Sequence, residues 1–288
     1  MKTLREAVQE AQQQKRAIGH FNVASVEMIQ AVVGAGKDTE LPVIVGVSEG
    51  ERDVFGTTAL VALLHTIREK TGREIYLNAD HTYSVERVKE AIDAGFDSVI
   101  FDGAELSFEE NIVKTKECVA YARASGRDVL VEGELGFIGI GSKMLDALPE
   151  GVAVTDETMT TVADALRFVQ ETGVDMLAPA VGNVHGMLKG GHNPQLNPER
   201  VAEIAQAVEI PLVLHGGSGI TDEDFTAAIS KGISIVHIST ELRVAYRQSL
   251  QLSLQESPEE LAPYKFMKPV ISAVRDVAVR RLKLFAGL

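Results

Sequence analysis

Three histidines stand where the sequence could hold a metal ion. His81 follows the run YLNAD, His185 follows LAPAVGNV, and His215 closes the apolar run IPLVL. Three imidazoles with a fourth position left for water or a substrate oxygen make the open tetrahedral site of catalytic zinc. The competing reading is three separate hydrogen-bonded histidines at strand ends. His20, His65 and His192 have no comparable setting, and His65 lies within the helical pattern LVALLHTIREK. Asp80 immediately precedes His81. Its carboxyl could pass a proton to and from a substrate oxygen, or it could orient a ligand or cap the next helix. Asp102, Glu132 and Glu134 add oxygens that could ligate an ion or hold the imidazoles in place. Glu132 and Glu134 alternate with Gly133 and share a face if the strand continues that far; a solvated rim is the alternative.

A second chemistry is written in HGGSGIT, residues 215–221. Adjacent Gly216 and Gly217 let backbone N–H groups approach an anion, and Ser218 adds a hydroxyl. Ser239 and Thr240, after a later apolar run, open a helix whose N-terminus would face the same anion.

These residues sit at the ends of eight apolar runs: Ala17–Val23, Pro42–Ser48, Glu74–Ala79, Ser98–Asp102, Asp128–Glu132, Asp175–Ala180, Ile210–His215 and Ile233–Ser239. Most are nearly continuous in Val, Ile and Leu, as strands buried on both faces require. Helix-patterned stretches such as Ser84–Ala94, Glu109–Ser125, Pro198–Ala207 and Asp222–Lys231 separate them. Gly95, Gly126, Gly173 and Gly232 fall just after helical stretches, where a left-handed residue stops a helix. The alternation predicts an α/β fold, a (β/α)8 TIM barrel forming a single domain over residues 1–288, with extra C-terminal helices from Ser257 onward. A doubly wound open sheet is the alternative, but the first turn, HFNVASVEM, lacks its glycine fingerprint. Polar residues gather at the carboxyl ends of the runs, where such barrels do their chemistry: Asn22, Ser48, Asp80, His81, Asp102, Glu132, Glu134, His185, His215, Ser239 and Thr240. Two glycine-rich interruptions, Gly136–Thr155 and Val181–Asn197, read as loops.

Composition narrows the function classes. A net charge of −13 argues against a nucleic-acid surface. Cys118 is the sole cysteine, so neither a disulfide framework nor a thiolate zinc site is available. The N-terminal segment has no apolar signal core and no run of about eighteen apolar residues occurs, so a cytoplasmic protein with no membrane association is expected.

At these motifs the sequence resembles the class II, metal-dependent fructose-bisphosphate and tagatose-bisphosphate aldolases. The matching stretches are GHFNV, PVIVGVSEG, ADH, AIDAGFDSVIFDGAELSFEENI, VEGELG, TGVDMLAPAVGNVHG, PLVLHGGSGI and STEL, which span nearly the whole chain. The resemblance implies a zinc ion on His81, His185 and His215, Asp80 as proton donor, and Asp102 and Glu134 as ligands of a second metal position or monovalent cation. It implies that Gly186, Gly216, Gly217, Ser218, His237, Ile238, Ser239 and Thr240 hold dihydroxyacetone phosphate, with Ser48 facing the aldehyde half. The implied reaction is reversible cleavage of a phosphorylated ketose, foremost fructose 1,6-bisphosphate in glycolysis, to dihydroxyacetone phosphate and glyceraldehyde 3-phosphate. Tagatose bisphosphate, another ketose phosphate, or a non-catalytic sugar-phosphate-binding role are the alternatives. A homodimer or homotetramer is expected by the same resemblance.

The chain departs from the family pattern in three places. The loop after ELG reads GFIGIGSKMLDALPEG, with Ser142 and Lys143 near the positions of the family's acidic residues, leaving Asp146 or Glu150 as substitutes. Strand eight carries Ile235 and His237 where the family has Lys and Asn. The distal-phosphate arginine has no clear counterpart in the tail, where Arg275, Arg280 and Arg281 are the candidates.

Overall fold

The structure, a computed structural model, describes residues 1–288. Eight parallel strands close into a barrel: β1 (Ile18–Asn22), β2 (Val43–Val47), β3 (Ile75–Thr82), β4 (Ser98–Phe101), β5 (Leu130–Leu135), β7 (Met176–Pro179), β9 (Leu212–Leu214) and β10 (Ile233–Ile238). Two short strands, β6 (Met144–Leu145) and β8 (Met187–Leu188), pair with each other outside it. The TIM barrel read from the alternation is the fold observed. Boundaries differ at two functional strands. β3 runs on to Thr82, and β5 is displaced toward its carboxyl end, so Glu134 lies inside the ladder.

Local chemistry sets the helices between the strands. Ser25, Ser84, Ser107, Thr161 and Thr221 each accept a hydrogen bond from a first-turn N–H, satisfying a donor the helix itself leaves free. The outward face of each strand packs against these helices in the larger core, with Val43, Val45, Val47, Val99, Phe101 and Val236 among its members.

The inward face changes character along its length. At the amino end of the barrel, Ile18, Ile44, Tyr76, Leu130, Met176, Val213 and Ile235 form an apolar layer, plugged from below by Leu4, Ala7, Val8 and Ala11 of the helix Leu4–Gln13. Because side chains two apart share a face, the next inward residues are His20, Gly46, Asn78, Glu132, His215 and His237, and then Asn22, Asp80 and Glu134. Apolar burial at one end thus supports a polar layer at the other. After the helix that follows the eighth barrel strand, Thr240–Glu256, the tail forms helices Pro263–Phe266 and Lys268–Phe285, the extra C-terminal helices expected from Ser257 onward.

Candidate active site

A local irregularity brings Asp80 and His81 to one cavity. The register between β3 and β4 shifts between Ala79 and Thr82, and His81 takes a φ of 37°, a left-handed conformation rare outside glycine. In a regular strand the two side chains would face opposite sides; here both line the cavity at the carboxyl end of the barrel. Such backbone conformations cost on the order of 1–3 kcal/mol.

His81, His185 and His215 converge from β3, the loop after β7, and the end of β9. One nitrogen of each lies within 4.8 Å of those of the other two. Carboxylates hold the outer edges of two of the rings. His81 Nδ1 is 2.8 Å from Asp102 Oδ2 and 3.5 Å from Glu134 Oε2, and His215 Nε2 is 2.7 Å from Glu132 Oε1. The opposite nitrogens, His81 Nε2 and His215 Nδ1, therefore face each other at 3.2 Å. Burial works against a charge on His81, but Asp80, Asp102 and Glu134 outweigh it and raise its pKa well above the usual imidazole range. Burial is likewise overcome at His215, raised by Glu132. For His185, burial and the two neighbouring imidazoles push the pKa well down. Burial, reinforced by Asp102, raises Glu134 to about 8, and its Oε2 has no hydrogen-bond partner.

Asp80 is buried beside this cluster. Its Oδ2 accepts a hydrogen bond from Asn22 Nδ2 at 2.7 Å, and its Oδ1 lies 3.3 Å from His237 Nδ1. Burial favours the neutral acid, but His81, His237 and His20 outweigh it and hold the carboxyl well below the usual carboxylate range. Asp80 is thus held in its ionised form.

The anion cradle borders the same cavity, whose volume is about 260 Å³. Gly216, Gly217, Ser218, Ser239 and Thr240 line it, together with Ser48 and Gly186. Ser218 Oγ accepts from the backbone N–H groups of Ser239 and Glu241, tying the turn after β9 to the helix after β10. Gly186 has a φ of 93°, and a Cβ there would lie 2.6 Å from the Lys143 carbonyl oxygen, so only glycine fits. Ser142, from the loop after β5, closes the cavity by donating to Ser239 Oγ at 2.9 Å.

The chain has counterparts among known proteins. The sequence profile described as Fructose-bisphosphate aldolase class-II matches residues 2–287. The chain belongs to this family. The 6-phospho-5-dehydro-2-deoxy-D-gluconate aldolase of Bacillus licheniformis is 37% identical over 290 residues, covering 99% of this chain and 94% of that protein. The fructose-bisphosphate aldolase of Geobacillus stearothermophilus is 36% identical over 288 residues, covering 99% and 96%. Among solved structures, the YdjI aldolase of Escherichia coli K12 superimposes with a TM-score of 0.82 at 32% identity, covering 98% of this chain and 96% of that one.

Class II aldolases depend on a metal ion, and the donors of this chain fit one. Two nitrogens bonded to one tetrahedral ion at about 2.0–2.1 Å are themselves roughly 3.3 Å apart; His81 Nε2 and His215 Nδ1 are separated by 3.2 Å. Backing of ligand imidazoles by carboxylates is the arrangement that fixes ring orientation in metal sites. The grouping of His81, Asp102 and Glu134, with the unpartnered Glu134 oxygen, is a second set of donors within reach of one ion.

Glu132 and Glu134 are buried inside the barrel of this aldolase, which excludes the alternative of a solvated rim. The structure departs from several other expectations from the sequence. Strand alternation turns Ile238 away from the cavity into the outer core. Neither Asp146 nor Glu150 lines the cavity, because β6 draws that part of the loop away toward β8; Asp146 is exposed and pairs with Lys189. Arg275 and Arg281 are engaged elsewhere, with Asp38 and with Glu241 and Asp222, and Arg280 sits near Glu241; none of the three lines the cavity. The cation that does is Arg243, whose Nη2 donates to Glu51 Oε1 at 2.7 Å. Its signal was its place three residues past Thr240, in the first turn of the helix after β10.

His20 carries a testable pH signature. Burial depresses its pKa from 6.5 to about 4, so the unfolded chain binds this proton at a higher pH than the folded one. Its contribution to stability is complete above pH 6.5 and is lost as pH falls toward 4. In metal-free protein, wild-type unfolding free energy is expected to fall across that window by about 3 kcal/mol more than that of His20→Ala. Parallel pH dependences in denaturant titrations would contradict the assignment.

Proposed function

We propose that this chain is a zinc-dependent aldolase that reversibly cleaves fructose 1,6-bisphosphate to dihydroxyacetone phosphate and glyceraldehyde 3-phosphate. The observation that carries the reading is the convergence of His81, His185 and His215 beside an ionised Asp80 and a serine- and glycine-lined anion cradle. His81, His185 and His215 would hold the zinc, with Asp102 and Glu134 available to a second ion. Bound zinc supplies a Lewis acid for the ketone oxygen. Asp80 takes the proton of the C4 hydroxyl while the C3–C4 bond breaks, its electron pair moving toward the ketone oxygen. No acid of the Gly136–Thr155 loop lines the cavity, whose carboxyl groups are those of Glu49, Asp80 and Asp102; of these Asp80, having taken the proton, would return it to the dihydroxyacetone carbon. Gly216, Gly217, Ser218, Ser239 and Thr240 bind the adjacent phosphate, His237 faces the dihydroxyacetone hydroxyls, and Ser48 and Arg243 face the aldehyde half. No helix is long and apolar enough to cross a membrane; a cytoplasmic homodimer or homotetramer acting in glycolysis, with residues 1–288 as one unit, completes the proposal.

A second reading keeps the reaction class and changes the sugar. It is favoured by the relative whose name specifies a phosphorylated deoxygluconate, since one arginine can receive a distal carboxylate as readily as a phosphate.

Release of triose phosphate from fructose 1,6-bisphosphate, tagatose 1,6-bisphosphate and 6-phospho-5-dehydro-2-deoxygluconate, before and after chelation, tests both readings. Turnover of the first is expected, falling at least about a thousandfold on metal removal and returning with zinc. Turnover surviving complete removal of metal would sink the mechanism. Exclusive use of another sugar would select the second reading, and no turnover of any would leave a binding protein.

A further inference from the structure

We propose that His20 is a positioning residue: stacked on His237, it fixes the orientation in which His237 meets the dihydroxyacetone phosphate half of the substrate. The inference rests on the aldolase reading for the identity of the ligand and on the barrel interior for its physics.

His20 and His237 are register partners across the β1–β10 ladder, both directed into the barrel. Their rings are parallel within 4°, with centroids 3.4 Å apart. The other side of His237 meets His215, at 3.9 Å between centroids and 36° between planes. His237 is therefore clamped between two rings. One of them, His215, is held by Glu132. The other, His20, is held at its Nε2 by Asn78 Nδ2, 3.0 Å away on β3.

That cross-link spans an intervening strand, and Gly46 of β2 makes it possible. A Cβ at position 46 would lie 1.9 Å from His20 Cε1 and 2.3 Å from its Nε2. Any side chain there would occupy the space of the ring. A second cross-link one step up the same face, Asn22 to Asp80, joins the same two strands. His20, Asp80 and His237 offer donor atoms within 4.8 Å of one another, but parallel rings at this spacing point their lone pairs in separate planes, an arrangement that suits a stack better than chelation of one ion.

His237 is buried and lines the cavity; its Nδ1 lies 3.3 Å from Asp80 Oδ1 without good hydrogen-bond geometry, and its Nε2 has no partner at all. A buried, unsatisfied polar atom costs on the order of 1–3 kcal/mol, which a substrate oxygen can recover only if the ring is correctly turned. Releasing one side of the clamp would let the ring rotate and forfeit part of that gain.

The test uses zinc-loaded protein and measures the dissociation constant of dihydroxyacetone phosphate by calorimetry, alongside zinc content, melting temperature and kinetics. His20→Ala is expected to weaken binding and raise KM by roughly threefold to tenfold, the range of one stacked aromatic pair, with zinc content unchanged. His20→Phe, which keeps a ring on His237, should bind close to wild type. Gly46→Ala should weaken binding in the wild-type background and add nothing in the His20→Ala background. Wild-type affinity in His20→Ala, or equal weakening in the alanine and phenylalanine variants, would overturn the proposal. Should wild-type protein itself not bind dihydroxyacetone phosphate, the substrate reading fails. The crystal structure of His20→Ala then decides the positioning role: a rotated His237 upholds it and an unmoved ring refutes it.

Discussion

His215→Ala protein is expected to purify without stoichiometric metal and to lose cleavage activity by more than about a thousandfold, the contribution of a Lewis acid worth several kcal/mol. Of the three proposed ligands, His215 has carboxylate backing on one nitrogen and a second imidazole facing the other. It faces His81 across 3.2 Å, and its other nitrogen engages a carboxylate buried to 1% exposure, Glu132. Truncation removes a donor and also strands Glu132 without its partner, which favours the protonated acid at that position. Metal analysis of the purified variant is the direct check. Wild-type zinc content with wild-type turnover would mean that the three-imidazole cluster is not the metal centre. A lowered melting temperature alone would not rescue the idea, because activity and metal content are predicted to fall together even below the melting transition.

Asp80→Ala should separate metal binding from proton transfer. The His81 ring is positioned by Asp102 and Glu134, and neither contact involves Asp80. Zinc should therefore remain while kcat falls by roughly 10²- to 10⁴-fold, the usual contribution of one acid–base group. KM for the ketose should move far less than kcat. Full activity in this variant would remove Asp80 from the mechanism, whereas loss of zinc would reassign it as a support for the ligands.

Much of the site was legible because strand ends are easy to find in a sequence of this kind. Continuous Val and Ile runs mark buried strands, and the first polar residue after each marks the mouth of the barrel; His215 after IPLVL is the plainest case. Bounds failed where the backbone departs from regularity. No periodicity announces the positive φ at His81 that turns Asp80 and His81 to one cavity. Nor could spacing show that Glu132 backs His215 while Glu134 leans toward His81, since both simply alternate along β5. Arg243 follows no strand end directly, so the search for polar residues at strand ends passes it by; its one signal is a cation placed against the helix dipole in a first turn, which calls for a reason other than helix stability. His20 was overlooked for a different reason. Its proposed role depends on what Gly46 lacks, and the absence of a side chain on the neighbouring strand β2 leaves no local trace.

The pairing of β6 with β8 has a mechanical corollary. Met187 N–H donates to the Lys143 carbonyl and Lys189 N–H to that of Leu145, while His185 N–H donates to Ile138. The segment roofing the cavity and the segment bearing His185 are in this way sewn into one sheet-like flap. Any displacement of that roof would pull on the seam that anchors His185. The position of His185 and the roof of the cavity are thereby mechanically linked, so a change in one is transmitted to the other.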